Sequence, residues 1–166
     1  MKKILTMLWA SLCAITAIAA PLDFTDLKND REANLATIKF MEVMGLDIAA
    51  KSDETFMLNF GGYKIMVSPN VGKNNGDFLI GYVSFGGVGK SNTTSSELAL
   101  QINRVNSKFN YLTAWVDNDG DIVVRYYMPF DKKLEPKLTL KWLGRIEMQT
   151  DQMAKEFGDD LKKFLK

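Results

Sequence analysis

An alternation of side-chain character that reflects about a glycine pair is the feature that most constrains this chain. On either side of Gly61-Gly62 the sequence runs Phe56-Met57-Leu58-Asn59-Phe60 and Tyr63-Lys64-Ile65-Met66-Val67. A two-residue turn at the glycines pairs Phe60 with Tyr63, Leu58 with Ile65 and Phe56 with Val67. Those side chains then share one apolar face, while Met57, Asn59, Lys64 and Met66 share a more mixed one. A slip of one residue would carry each set to the opposite face, so turn and alternation specify a single register. The segment is a hairpin that needs an apolar layer against one side.

The same logic places a second hairpin. Tyr111–Asp117 and Asp121–Met128 flank Asn118-Asp119-Gly120. With a three-residue loop Val116 faces Ile122, Ala114 faces Val124 and Leu112 faces Tyr126, and that face carries no charge. A two-residue loop would set Ala114 beside Arg125, so the longer loop fits, with Gly120 at positive φ. The opposite face carries Tyr111, Thr113, Trp115, Val123, Arg125 and Tyr127. Aromatic residues with a polar tip are either covered within a monomer or used for contact. Tyr111, Trp115, Arg125 and Tyr127 are therefore the candidate contact surface, for a protein partner or for self-association as a dimer. Between the hairpins, Phe78–Phe85 is apolar on both faces, as a central strand is.

Helical periodicity surrounds these strands. Arg31 to Met44 places Leu35, Ile38, Met41 and Met44 at steps of three and stops at Gly45. Thr94-Ser95-Ser96-Glu97 reads as a capping box opening a second helix, with Leu98, Ile102 and Val105 as its apolar stripe. A long helix over about Leu138 to Leu165 carries Leu143, Ile146, Thr150, Met153, Phe157, Leu161 and Phe164 at three-four spacing. Residues 20–29 read as polar and loosely held. The order αβββαββα predicts an α+β fold: an antiparallel sheet of about five strands with helices packed on it.

The N-terminus reads as a signal peptide. Lys2 and Lys3 precede a largely apolar run from Ile4 to Ile18, and Ala17-Ile18-Ala19 supplies the small residues of a cleavage site. The apolar run is short for a membrane span of about 20 residues. The expected division is residues 1–19 as signal peptide and 20–166 as one domain, with the mature chain beginning at Ala20. That chain has 166 − 19 = 147 residues, enough to bury a core. Loss of Lys2 and Lys3 leaves 21 − 2 = 19 basic residues against 20 acidic ones. Such a balance points to neither nucleic acid nor an anionic membrane surface. Cys13, the one cysteine, leaves with the signal, so the mature protein forms no disulfide. The expected location is periplasmic or secreted, without stable membrane insertion.

Histidine is absent, which excludes Ser-His-Asp and Cys-His catalysis and histidine-ligated metals. Ser84-Phe85-Gly86-Gly87-Val88-Gly89-Lys90-Ser91 approaches a phosphate-binding loop but has serine where the first glycine belongs. Asp117-Asn118-Asp119-Gly120-Asp121 approaches a calcium loop, yet Ile122 and Met128 stand where glycine and a bidentate acid are needed. Asp151 and Asp159-Asp160 fall on the polar side of the last helix. These residues nominate no catalytic, cofactor-binding or metal site and no cofactor. The expectation is a non-enzymatic binding protein. The alternatives are a periplasmic hydrolase using a carboxylate or serine, and a structural envelope component.

From Asn103 onward the chain resembles the YbjN family, bacterial proteins labelled as proposed sensory transduction regulators. The residues that carry the resemblance are Ile102-Asn103-Arg104-Val105-Asn106, then a strand, then Val116-Asp117-Asn118-Asp119-Gly120-Asp121-Ile122-Val123, then the closing helix. The first half matches in element order and in its helix ending at Gly45. The resemblance implies a fold similar to type III secretion chaperones, a tendency to dimerise and a chaperone-like role. It brings no catalytic residues.

Overall fold

The structure is a computed structural model, and it describes residues 19–27, 29–71, 77–88 and 95–165. In chain order its elements are β1 (Leu22–Asp23), α1 (Asp30–Val43), β2 (Asp47–Lys51), β3 (Phe56–Phe60), β4 (Tyr63–Asn70) and β5 (Asp77–Gly87). There follow α2 (Ser96–Lys108), β6 (Leu112–Val116), β7 (Asp121–Phe130), β8 (Lys133–Leu134) and α3 (Pro136–Lys162). A six-stranded antiparallel sheet has the order β2-β3-β4-β5-β7-β6, and β1 pairs with β8 in a separate two-stranded sheet.

Both hairpins take the register that their alternation specifies. Phe56, Leu58 and Phe60 oppose Val67, Ile65 and Tyr63, and Gly61 and Gly62 both have positive φ. Leu112, Ala114 and Val116 oppose Tyr126, Val124 and Ile122. In the second loop Gly120 has φ 87°. Oδ1 of Asp117 accepts the backbone N–H groups of Asp119 and Asp121 and so closes the turn.

One face of the sheet meets the helices. Phe56, Leu58, Ile65, Val67, Leu79, Val83, Leu112, Ala114, Ile122 and Val124 are buried in one apolar cluster with Ile38 and Met41 of α1, Leu98, Ile102 and Val105 of α2, and Leu143, Ile146, Met153 and Phe157 of α3. The α3 stripe read from the sequence is buried at every position. Gly81 lets α3 approach: a Cβ there would stand 2.9 Å from Ile146 Cδ1 and 3.0 Å from Trp142 Cζ2. Beside it Tyr126 is fully buried, with its hydroxyl 2.8 Å from that of Thr150. Burial pushes the Tyr126 phenol up to about 12, while the Thr150 hydrogen bond pulls it down.

The structure corrects several expectations. Residues 20–27 are not loose: Phe24 is buried, and its N–H donates to the Lys132 carbonyl beside the β1–β8 pair. Strands of two residues carry no periodicity, so neither β1 nor β8 is visible locally. Edge strand β2 was also unforeseen, because Asp47-Ile48-Ala49-Ala50-Lys51 is mostly exposed and bulged between Ile48 and Ala50. The sheet consequently has six strands. In α1 the inward face is Ala33, Asn34, Thr37, Ile38, Phe40 and Met41, and Leu35 is exposed. Steps of three drift around a helix of 3.6 residues per turn, whereas the buried set keeps three-four spacing. The cap of α2 is Ser95, whose hydroxyl accepts the Leu98 N–H, one residue later than expected. Glu97 is thereby displaced from its reciprocal capping position and pairs with Lys163 at 2.6 Å.

Candidate contact surface

The second face of the sheet belongs to no helix contact of the core cluster. Cross-strand register lines up Met57, Met66, Tyr82, Arg125 and Thr113 across β3, β4, β5, β7 and β6. A neighbouring row holds Ser68, Ile80 and Tyr127, with Phe78 beyond it opposite Pro129. On the other side Trp115 opposes Val123. None of Met57, Met66, Ile80, Tyr82, Trp115 and Tyr127 belongs to the core cluster. Tyr127 is 44% exposed and Met66 36%. Strand β5 is thus central, as expected, yet among the described residues helices cover only one of its apolar faces.

The aromatic rings make a connected pavement. Tyr82 meets Trp115 edge-on at 6.3 Å between centroids, and Phe78 meets Tyr127 edge-on at 5.5 Å. The Arg125 guanidinium lies 5.3 Å from the Trp115 ring centre and 4.7 Å from that of Tyr127. Its Nε is shielded from solvent and has no hydrogen-bond partner. Burial raises the Tyr82 phenol above its ordinary value, and Arg125 beside it works in the opposite direction. Trp115, Arg125 and Tyr127 therefore come together as the alternation predicts. Tyr111 does not join them. It precedes β6, and its ring faces the Arg145 guanidinium of α3 at 4.3 Å, on the helix side of the sheet. Strand alternation no longer governs a residue outside the ladder.

Phe78, Ile80 and Tyr82 are members of this face that sequence reasoning did not assign to it. Their period-two spacing was the available signal, but only the position of β5 beside β7 brings them against Tyr127, Arg125 and Trp115. The role of Asn106 was missed as well. From α2 its side-chain amide donates to the Ala114 carbonyl at 3.0 Å and accepts the Ala114 N–H at 2.7 Å. The amide occupies the outer side of edge strand β6 as a neighbouring strand would. The other edge, β2, is blunted by its bulge and by the Lys51–Glu42 ion pair.

Ser84 to Gly87 of the phosphate-loop look-alike belong to β5, where Ser84 donates to Asp121 at 3.2 Å. Residues 89–94 lie outside the described residues. Asp151 accepts the Tyr63 hydroxyl; burial first, then this carboxylate, raises the Tyr63 pKa. Asp159 lies 3.3 Å from Lys162, and Asp160 lies 3.7 Å from Arg104. Among the described residues no helix is long and apolar enough to cross a membrane. The N-terminal segment on which the export expectation rests, residues 1–18, lies outside the described residues.

No family model matches the sequence, and no curated protein matches it. Among solved structures the chain is similar to the crystal structure of YbjN from E. coli, titled as a proposed transcription regulator. The TM-score is 0.55 at 13% identity, over 76% of this chain and 93% of that one. The fold is YbjN-like, an α+β arrangement on an antiparallel sheet.

Proposed function

We propose that this chain is exported and, after losing residues 1–19, acts in the periplasm or outside the cell as a non-enzymatic, regulator-type binding protein. Its partner, another protein or a second copy, docks on the uncovered sheet face. The observation that carries this reading is the aromatic pavement of Tyr82, Trp115, Phe78 and Tyr127 on a face that no helix of the described residues covers. Soluble monomers seldom leave so continuous an apolar area in water. Docking by strand addition is disfavoured, because Asn106 occupies one sheet edge and a bulge disrupts the other. The YbjN-like fold agrees with a regulator or binding role at the level of the fold.

The test is site-specific photo-crosslinking in cells. A photoreactive residue in place of Tyr127 is expected to give a discrete adduct, either a dimer or a complex with one other protein. The same residue in place of Met148, 58% exposed on α3, serves as the control. Equal labelling from both positions, or none from position 127, would sink the docking face.

A further inference from the structure

The outer face is largely apolar around the half-buried Arg125, and the surroundings of that group specify what a partner brings. Arg125 stands on β7, one strand in from the β6 edge, opposite Tyr82 on one side and Thr113 on the other. Trp115 and Tyr127 approach its guanidinium within 5.3 and 4.7 Å. Ring contacts of this kind favour the charge but do not satisfy in-plane N–H groups. Arg31 and Arg104 reach Asp53 and Asp160, whereas no carboxylate among the described residues pairs with Arg125. The Tyr82 hydroxyl hydrogen-bonds the guanidinium, yet its Nε remains without an acceptor although water is excluded from that atom. An N–H in that condition carries a desolvation cost that an approaching acceptor oxygen relieves.

The chemistry of that ligand follows from the charge balance. One guanidinium on an apolar pavement neutralises one negative charge, and its planar fork matches a carboxylate. A phosphoryl group carries about −1.5 to −2 at neutral pH and would leave charge uncompensated against aromatic rings. The face is a broad sheet surface rather than a cavity, so it suits a polypeptide better than a small acid. We propose that it recognises a partner polypeptide by a carboxylate side chain set between apolar residues, with Arg125 receiving the carboxylate and Trp115 and Tyr127 packing on its neighbours. This rests on the reading that the face docks a protein.

The experiment uses the purified exported chain and three sets of immobilised peptides. The sets share apolar flanking residues and differ only at the central position, which is aspartate, asparagine or lysine. The aspartate set is expected to bind about tenfold more tightly than the asparagine set, with lysine weakest. Arg125→Gln, verified as folded by circular dichroism, is expected to bind the aspartate and asparagine sets equally. Arg125→Lys is the second variant, should the neutral one not fold; it is expected to keep only part of the preference, since an ammonium lacks the planar fork. Equal binding of aspartate and asparagine peptides by the unmodified chain would overturn the carboxylate assignment while leaving the docking face standing. An undiminished preference in Arg125→Lys would overturn the role of the stacked guanidinium. Failure of every set to bind overturns the assignment too, and only a concurrent absence of the position-127 crosslink removes the docking face with it.

Discussion

At the residue scale, backbone geometry and local charge make separable predictions. Gly120 holds φ 87° where the second hairpin turns, a conformation that penalises β-branched side chains. Gly120→Val is expected to lose about 1 kcal/mol or more in denaturant unfolding. Unchanged stability would contradict the register of β6 and β7. Glu147 offers a test in the opposite direction. Its carboxyl is raised above its ordinary pKa, first by burial and then by the charge of Asp151 one turn away. An acid whose folded-state pKa is raised is more easily kept neutral in the folded state, so ionising it costs stability as pH rises through the carboxylate range. Glu147→Gln is therefore expected to raise the melting temperature at neutral pH and to lose that advantage below about pH 4, where both states are protonated. Thermal melts at both pH values decide it.

At the scale of elements, the edge strands show how the sheet avoids adding further strands. Asn106 reaches from α2 to both backbone groups of Ala114, joining a helix to an edge by two hydrogen bonds. Asn106→Ala removes both and exposes that side of β6. The expected loss is about 1 to 3 kcal/mol, with faster amide exchange at Ala114 than at Val124 in the interior. Equal exchange at the two positions would show that Asn106 does not guard the edge. The same contact gives a physical meaning to the Asn106 of the Asn103–Asn106 pair, which the sequence offered only as a resemblance.

At the scale of the molecule, the sheet separates Trp142 and Trp115 by role. Trp142 lies 5% exposed in the core against Gly81, whereas Trp115 is half-buried outside the core cluster. Trp142→Ala is expected to cost about 3 to 5 kcal/mol, and Trp115→Ala much less. If the face pairs two copies, Trp115→Ala should lower the mass seen by light scattering while circular dichroism is unchanged. A Trp115→Ala chain that unfolds while the parent is strictly monomeric would mean that the ring is core. N-terminal sequencing of exported protein should begin at Ala20; a retained residue 1–19 segment in the membrane fraction would show an anchor instead.

Local pattern determined the hairpins, the inward stripes of α2 and α3 and the α+β class, because each depends on residues within a turn or two of one another. Phe56 and Val67 meet through the two residues of one turn, and no distant contact can alter that register without exposing their face. The pairing of Leu22 with Leu134, the bulged β2 edge and the inward face of α1 came only from tertiary packing. The contact surface divided in the same way. Alternation put Trp115, Arg125 and Tyr127 on one face, but only the neighbouring position of β5 added Phe78 and Tyr82, and only α3 drew Tyr111 away to Arg145. A strand's own period says which side chains travel together. Where both faces are apolar, as in β5, which of them meets helices depends on where the chain's distant segments come to lie, and no local period encodes that.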